Sequence, residues 1–318
     1  MRVFRWLIVF LVFTGNALAQ EWPAKLVKFV VPYPPGGSVD PLARLFAGKL
    51  TDSLKQQFIV ENRTGASGII GTDYVAKSPP DGYTWLFIFD THAVHQALHP
   101  KLPFDPLKDF APVMIVSTAP LVITTGTMKP YQGFTEVLAA AKAKPDTVTM
   151  GNASNGTLAH LTTMVLNQTA GIKLVPVAYK GAGPLVTEIV GGHVDLGIAS
   201  IAAQAPHVKG GRMRALAQTG EKRSHLVPDV PTLKEEGINI VVHTWWGILA
   251  PAGTPKPIID KLVVELNKVI RLPDVNKTLT ETLGMDVVAL NPPATQKWIE
   301  DNVARWGKVV RENNIRAD

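Results

Sequence analysis

The side chains of this chain that could do chemistry fall in two places. His92, His95 and His99 recur at intervals of three and four residues, a spacing at which imidazoles on one helix face could share a metal ion. Ser154 and His160 sit close enough in sequence to invite a nucleophile-and-base reading. Neither pattern survives its surroundings. The chain has no cysteine, and Pro100 follows the histidines at once, so they read as exposed loop residues rather than metal ligands. Nothing around Ser154 resembles a Gly-x-Ser-x-Gly elbow. No enzyme activity, no cofactor and no metal is expected.

What remains is chemistry done by the backbone. Val30-Val31-Pro32-Tyr33-Pro34-Pro35-Gly36-Gly37-Ser38-Val39-Asp40 joins a short apolar strand to a helix. The prolines stiffen the turn, and Gly36 and Gly37 let a ligand approach the main chain. Asp40 before Pro41 reads as an N-cap and a first helical residue. A helix N-terminus presents bare N–H groups and a positive dipole end, which is an anion site without a cationic side chain. The pattern recurs. A strand over 58–60 leads to Gly65-Ala66-Ser67-Gly68 and a helix over 69–77, matching neither the dinucleotide fingerprint nor the Walker A pattern. A strand over 84–89 ends at Asp90-Thr91-His92-Ala93. A strand over 147–150 ends in Gly151-Asn152-Ala153-Ser154-Asn155-Gly156-Thr157 and a helix over 158–169. Tyr179-Lys180-Gly181-Ala182-Gly183 and Ser200 close two more strands ahead of helices.

These loops need a scaffold that gathers them. Strand–helix alternation with short loops predicts α/β lobes with mainly parallel sheets, whose strand ends converge on one edge. Val113–Val116 and Pro120–Thr124 read as strands broken at Ser117-Thr118-Ala119, where the chain passes to a second lobe. The apolar run 240–249 brings it back. The expected division is 20–116 with 246–318 as one lobe and 117–245 as the other. Pro228-Asp229-Val230-Pro231-Thr232 begins a short helical segment ending at Gly237. An amphipathic helix over 257–270 and helices over 273–283 and 295–313 complete the first lobe. Trp245 and Trp246 are adjacent on a strand and point to opposite faces, so at most one of them lines a cleft.

The N-terminus carries an address. Arg2 and Arg5 precede the apolar run 6–13, too short to span a bilayer, and Ala17-Leu18-Ala19 fits a cleavage site. Residues 1–19 are expected to be removed after Ala19 and the protein to work in the periplasm. Without cysteine it has neither disulfides nor a lipidated N-terminus. The formal charge is +6, of which Arg2 and Arg5 supply two. The basic residues are scattered, without aromatic interleaving, so nucleic acid is not an expected partner.

Taken together the motifs resemble the solute receptors of the tripartite tricarboxylate transporters, also called Bug receptors. The likeness rests on Val30-Val31-Pro32-Tyr33-Pro34-Pro35-Gly36-Gly37 with Asp40, Glu61-Asn62-Arg63 with Gly65 and Gly68, and Pro80-Asp81-Gly82-Tyr83. It continues through Leu102-Pro103-Phe104-Asp105-Pro106, Tyr179-Lys180-Gly181, Pro228-Asp229-Val230-Pro231-Thr232 and Ala250-Pro251-Ala252-Gly253-Thr254-Pro255. The resemblance implies a two-lobed, type II-like periplasmic binding protein, a monomer. It implies closure on a small organic acid (a di- or tricarboxylate or an aromatic acid) and delivery to a two-subunit membrane permease. A receptor serving a signalling partner, or an enzyme on the same scaffold, are the alternatives. Two loops would pinch a carboxylate through backbone amides and water. They correspond here to Tyr33–Ser38, with Gly36, Gly37 and Ser38, and to Ser154, Asn155, Gly156 and Thr157, with His160 just beyond. Asp90 and His92 beside Thr91 would read the far end of the ligand, with Gly65, Ala66, Ser67, Tyr179 and Ser200 as further lining. Ala199 and Ser200 stand where many relatives carry an acidic or amide residue, which argues against an amino-acid ligand. Asn62 and Arg63 are expected to be structural, and Asp195 to cap a turn.

Overall fold

Two sheets make up the molecule, and one long strand belongs to both. The computed structural model describes residues 21–315, so the leader and its cleavage site lie outside the described residues. In chain order the elements are β1 (Val27–Val31), α1 (Val39–Leu54), β2 (Phe58–Asn62), α2 (Ile69–Ala76), β3 (Thr84–Phe89), α3 (His95–Leu98) and β4 (Phe110–Gly126). There follow α4 (Phe134–Ala143), β5 (Val148–Asn152), α5 (Leu158–Ala170), β6 (Leu174–Ala178), α6 (Ala182–Val190), β7 (Leu196–Ser200), α7 (Ile201–Lys209) and β8 (Met213–Gln218). The chain closes with β9 (His243–Pro251), α8 (Lys256–Arg271), α9 (Pro273–Lys277), β10 (Asp286–Leu290) and α10 (Pro292–Glu312). Short 3-10 turns cover Ala66–Gly68 and Asp90–Ala93.

In the first sheet β1 pairs in parallel with β2 and β3, and β9 runs antiparallel between β3 and β4. In the second, β5 pairs in parallel with β6 and β7, and β4 returns antiparallel against β7 and β8. Each sheet is thus mixed: three parallel strands flanked by antiparallel partners. The parallel strands read as apolar runs because helices cover both faces. Under α1 and α8, Phe29, Phe46 and Phe87 meet edge-on with ring centroids 5.7 and 6.1 Å apart. Leu121, Ile123, Met150, Leu161 and Ile198 centre the core of the second sheet.

The structure departs from the sequence expectations at several points. There is no break at 117–119: β4 runs unbroken for 17 residues. Ser117 and Thr118 pair with Trp246 and Trp245 of β9 on one side and with β10 on the other. Their small polar side chains suggest a turn, but they are central-strand residues and buried. β10 lies between the two predicted C-terminal helices, 273–283 and 295–313, where the sequence reading places no element. The segment after Pro228 forms turns rather than a helix, tied to β8 by a bridge between Gln218 and Thr232. Nor does α10 serve one lobe: Ile299 joins the core beside β3 and β9, while Trp306 and Val310 join that of the second sheet. Asp40 is not an N-cap. Helix α1 starts at Val39, and Asp40 accepts from Arg44 (2.9 and 3.0 Å) and from Asn62 Nδ2 (2.8 Å).

Candidate functional site

Five helices begin at one cavity. It has a volume of about 750 Å³ and is lined by residues of both sheets. Ser38 and Val39 at the start of α1, the Gly65–Gly68 turn entering α2, Thr157 at the start of α5, Gly181 and Ala182 at the start of α6, and Ser200 before α7 all border it. Each follows a strand that ends at the cavity edge of its sheet. The first N–H groups of a helix have no partner within it, so this wall is electropositive by construction. Lys180, exposed to solvent, is the one cationic side chain lining it among the described residues.

Local geometry fixes the wall. Tyr33 lies edge-on to Phe89, with centroids 6.2 Å apart, and its hydroxyl bonds the Thr91 hydroxyl. A side chain on Gly68 would put its Cβ 3.0 Å from Tyr33 Cε1, and the backbone there has φ +97°, so glycine is required. Ala66 and Ser67 are both left-handed, at φ 47° and 53°, which turns the Ser67 hydroxyl across the cavity edge. There it bonds Ser154 Oγ at 2.8 Å and donates to the Asn155 carbonyl at 3.2 Å, a link between loops of different sheets. Behind it, His95 Nε2 bonds the Ser67 carbonyl at 3.0 Å. On the other side Thr157 caps α5, its hydroxyl accepting from His160 N at 3.2 Å and donating to the Ser154 carbonyl at 2.9 Å.

Asp90 is wholly buried at the seam. It belongs to the turn after β3 and borders the cavity. Its Oδ2 accepts from the Thr244 hydroxyl of β9, and the N–H of Leu158, first residue of α5, also bears on the carboxyl. Among the described residues Oδ1 has no hydrogen-bond partner. Burial is the largest effect and lifts the carboxyl to about 7. Burial likewise pushes the Tyr33 phenol above its usual range, and that of Tyr179 upward.

Of the residues named from sequence, the structure brings Tyr33, Gly37, Ser38, Gly65, Ala66, Ser67, Thr91, Ser154, Thr157, Tyr179 and Ser200 to the cavity. Gly36, His92, Asn155, Gly156 and His160 do not line it. His92 is buried behind the wall, stacked on Phe104, with Nε2 bonded to the Pro106 carbonyl at 2.9 Å. His92 and His95 are therefore core residues rather than exposed ones. Burial drops His92 to about 4 and His95 to about 3. Gly156 turns at φ +75° close to Leu98, and its N–H donates to His160 Nδ1 at 3.3 Å. Among the described residues no group of three or more His, Asp or Glu could hold a metal ion. Trp245 and Trp246 are both fully buried and neither lines the cavity; Trp246 Nε1 donates to Ser38 Oγ at 3.2 Å from beneath. Asn62 supports the first loop by donating to the Tyr33 carbonyl at 3.1 Å, and Arg63 stacks on Tyr74. Asp195 accepts from the backbone and side chain of Thr149 and from Lys129, away from the cavity.

From this loop the sequence reading names only Tyr179 as lining, whereas Lys180, Gly181, Ala182, Gly183 and Pro184 border the cavity too. The signal is present, since that loop repeats the strand–glycine–helix pattern of the others. Leu121 of β4 and Phe89 of β3 carry no signal, because an apolar strand residue at a cavity looks like any core residue.

Comparison with known proteins agrees with this fold. The model of the tripartite tricarboxylate transporter family receptor matches residues 42–315. The protein BugT of Bordetella pertussis is 36% identical over 304 residues, covering 94% of this chain and 92% of its own length. The structure of Rpa4515 from Rhodopseudomonas palustris with adipate superposes with a TM-score of 0.89 at 31% identity, covering 93% of this chain and 99% of that one. MatC from the same organism, with bound malate, gives 0.85 at 30% identity and covers 91% and 100%.

Proposed function

Because the chain belongs to the tripartite tricarboxylate transporter receptor family, we propose that it is an exported receptor that closes over a small organic acid and presents it to a two-subunit membrane permease. The observation that carries this reading is the cavity bordered by five helix starts, drawn from both sheets. Helix N-termini recognise a carboxylate without a counter-cation. The acids found with relatives, adipate and malate, belong to the same chemical class. The lining residues named above are proposed as the ligand contacts, with Ser38, Ser67, Ser154 and Thr157 supplying hydroxyls.

The two sheets act as lobes, 20–116 with 246–318 and 117–245. A ligand can favour the closed form only by touching both lobes more fully when they are closed. The Ser67–Ser154 link then holds the rim. Family membership and the leader support work in the periplasm. No helix among the described residues is long and apolar enough to cross a membrane.

Native mass spectrometry of the protein as purified, with identification of any released molecule, tests the reading. A carboxylic acid at near-unit occupancy is the expected result. If the protein is empty, a thermal-shift screen over mono-, di- and tricarboxylates should find an acid that raises the melting temperature. A ligand at a hundred times its Kd adds about 2.7 kcal/mol. A folded protein indifferent to every acid would sink the proposal.

A further inference from the structure

We propose that the cavity selects a monocarboxylic acid with an apolar body, aromatic or aliphatic, and that Asp90 turns away a second carboxylate. This rests on the receptor reading above and narrows its ligand. Three observations carry it. First, much of the wall between the helix starts is apolar: Phe89, Leu121, Ala159, Pro184 and Ala199 border the space. A second carboxylate set against those five side chains would lose its hydration and gain no hydrogen-bond donor from them.

Second, one of the five helix starts already faces a carboxylate belonging to the chain. The Leu158 N–H, at the beginning of α5, bears on Asp90. An incoming anion is left with the starts of α1, α2, α6 and α7, and among the described residues no acidic side chain other than Asp90 lines the cavity. Third, among the described residues no cation offsets Asp90. The groups that face it are the Thr244 hydroxyl from β9, the Leu158 N–H from α5 and the Tyr33 phenol from the loop after β1. The hydroxyls of Tyr33 and Thr91 bond each other. With Asp90 near 7, it carries charge at pH 8 and, buried itself, repels a second anion brought beside it.

The test is titration calorimetry of the mature wild-type chain at pH 8 with two matched pairs. These are hexanoate against adipate, and 3-phenylpropanoate against 3-(4-carboxyphenyl)propanoate, with citrate as a further probe. The expected result is that the monoacid of each pair binds at least tenfold more tightly. In Asp90→Asn, which keeps an acceptor for Thr244 but removes the charge, that gap should shrink to threefold or less. Diacids or citrate binding as tightly as the monoacids overturns the inference and leaves the receptor reading standing. A gap unchanged in the variant overturns the role of Asp90. Failure of all five acids to bind the folded protein brings down the receptor reading, and this inference with it. The wild-type comparison needs no variant and stands if Asp90→Asn does not fold.

Discussion

Asp90 and His92 are two residues apart, and burial shifts their titration in opposite directions. Asp90 binds its proton more tightly in the folded state (about 7) than its usual 3.8. Between those values the folded state holds more protons than the unfolded one, so its stability falls as pH rises, and above 7 the full cost is present. Asp90→Asn should therefore stabilise the protein by on the order of 1–4 kcal/mol at pH 8, with the gain gone by about pH 4. Urea midpoints across that range check it, and a variant no more stable at pH 8 refutes it. The histidines work the other way. His92 and His95, at about 4 and 3 when folded against the usual 6.5, leave the unfolded state with more protons below 6.5. In the Asp90→Asn background the midpoint should therefore drop steadily as pH falls from 6.5 to 4; a flat profile would show that the histidines charge without unfolding. The sequence draws attention to Asp90-Thr91-His92 as a group but does not separate them. Thr91 and Asp90 face the cavity and His92 faces the core, and a 3-10 turn of four residues offers no period from which to read that division.

At the scale of elements, the site depends on how closely α2 lies against the first loop. A Cβ on Gly71 would stand 2.5 Å from the Arg63 carbonyl and 2.8 Å from Pro32 Cβ. Alanine within a helix usually gains about 1 kcal/mol over glycine. Here Gly71→Ala should instead destabilise by about 1–3 kcal/mol, since backbone must move, and the movement displaces the loop carrying Tyr33. Acid affinity should fall at least tenfold in the same variant, measured by calorimetry; a stabilised variant with unchanged affinity would show that α2 does not set the loop. Elements with a clear period are legible in the sequence itself. Helix α8, apolar at 259, 262, 266, 269 and 270, is an example, as are the parallel strands that feed glycine loops. The unbroken β4 is not, because Ser117 and Thr118 owe their strand conformation to β9 and β10, partners far away in the chain. Hydrophobic pattern reports which face is buried; it does not report that a polar pair is hemmed in on both edges.

On the scale of the whole molecule, elements that serve both sheets tie them together, among them β4, α7 and α10. Trp306 is buried in the second core although α10 begins against the first. Trp306→Ala should cost about 3–5 kcal/mol. Calorimetry should show one unfolding transition shifted as a whole, whereas two separated transitions would mean that the sheets unfold independently. Strand β4 has a consequence for how such a protein is worn out. A receptor whose halves were joined by exposed linkers would offer proteases a seam and could be cut into two surviving pieces. Here β4 carries the chain between sheets as main chain that is buried and hydrogen-bonded along both edges, so it offers no cleavable thread at the joint. Cleavage within β4 must therefore wait for that strand to come away from its partners.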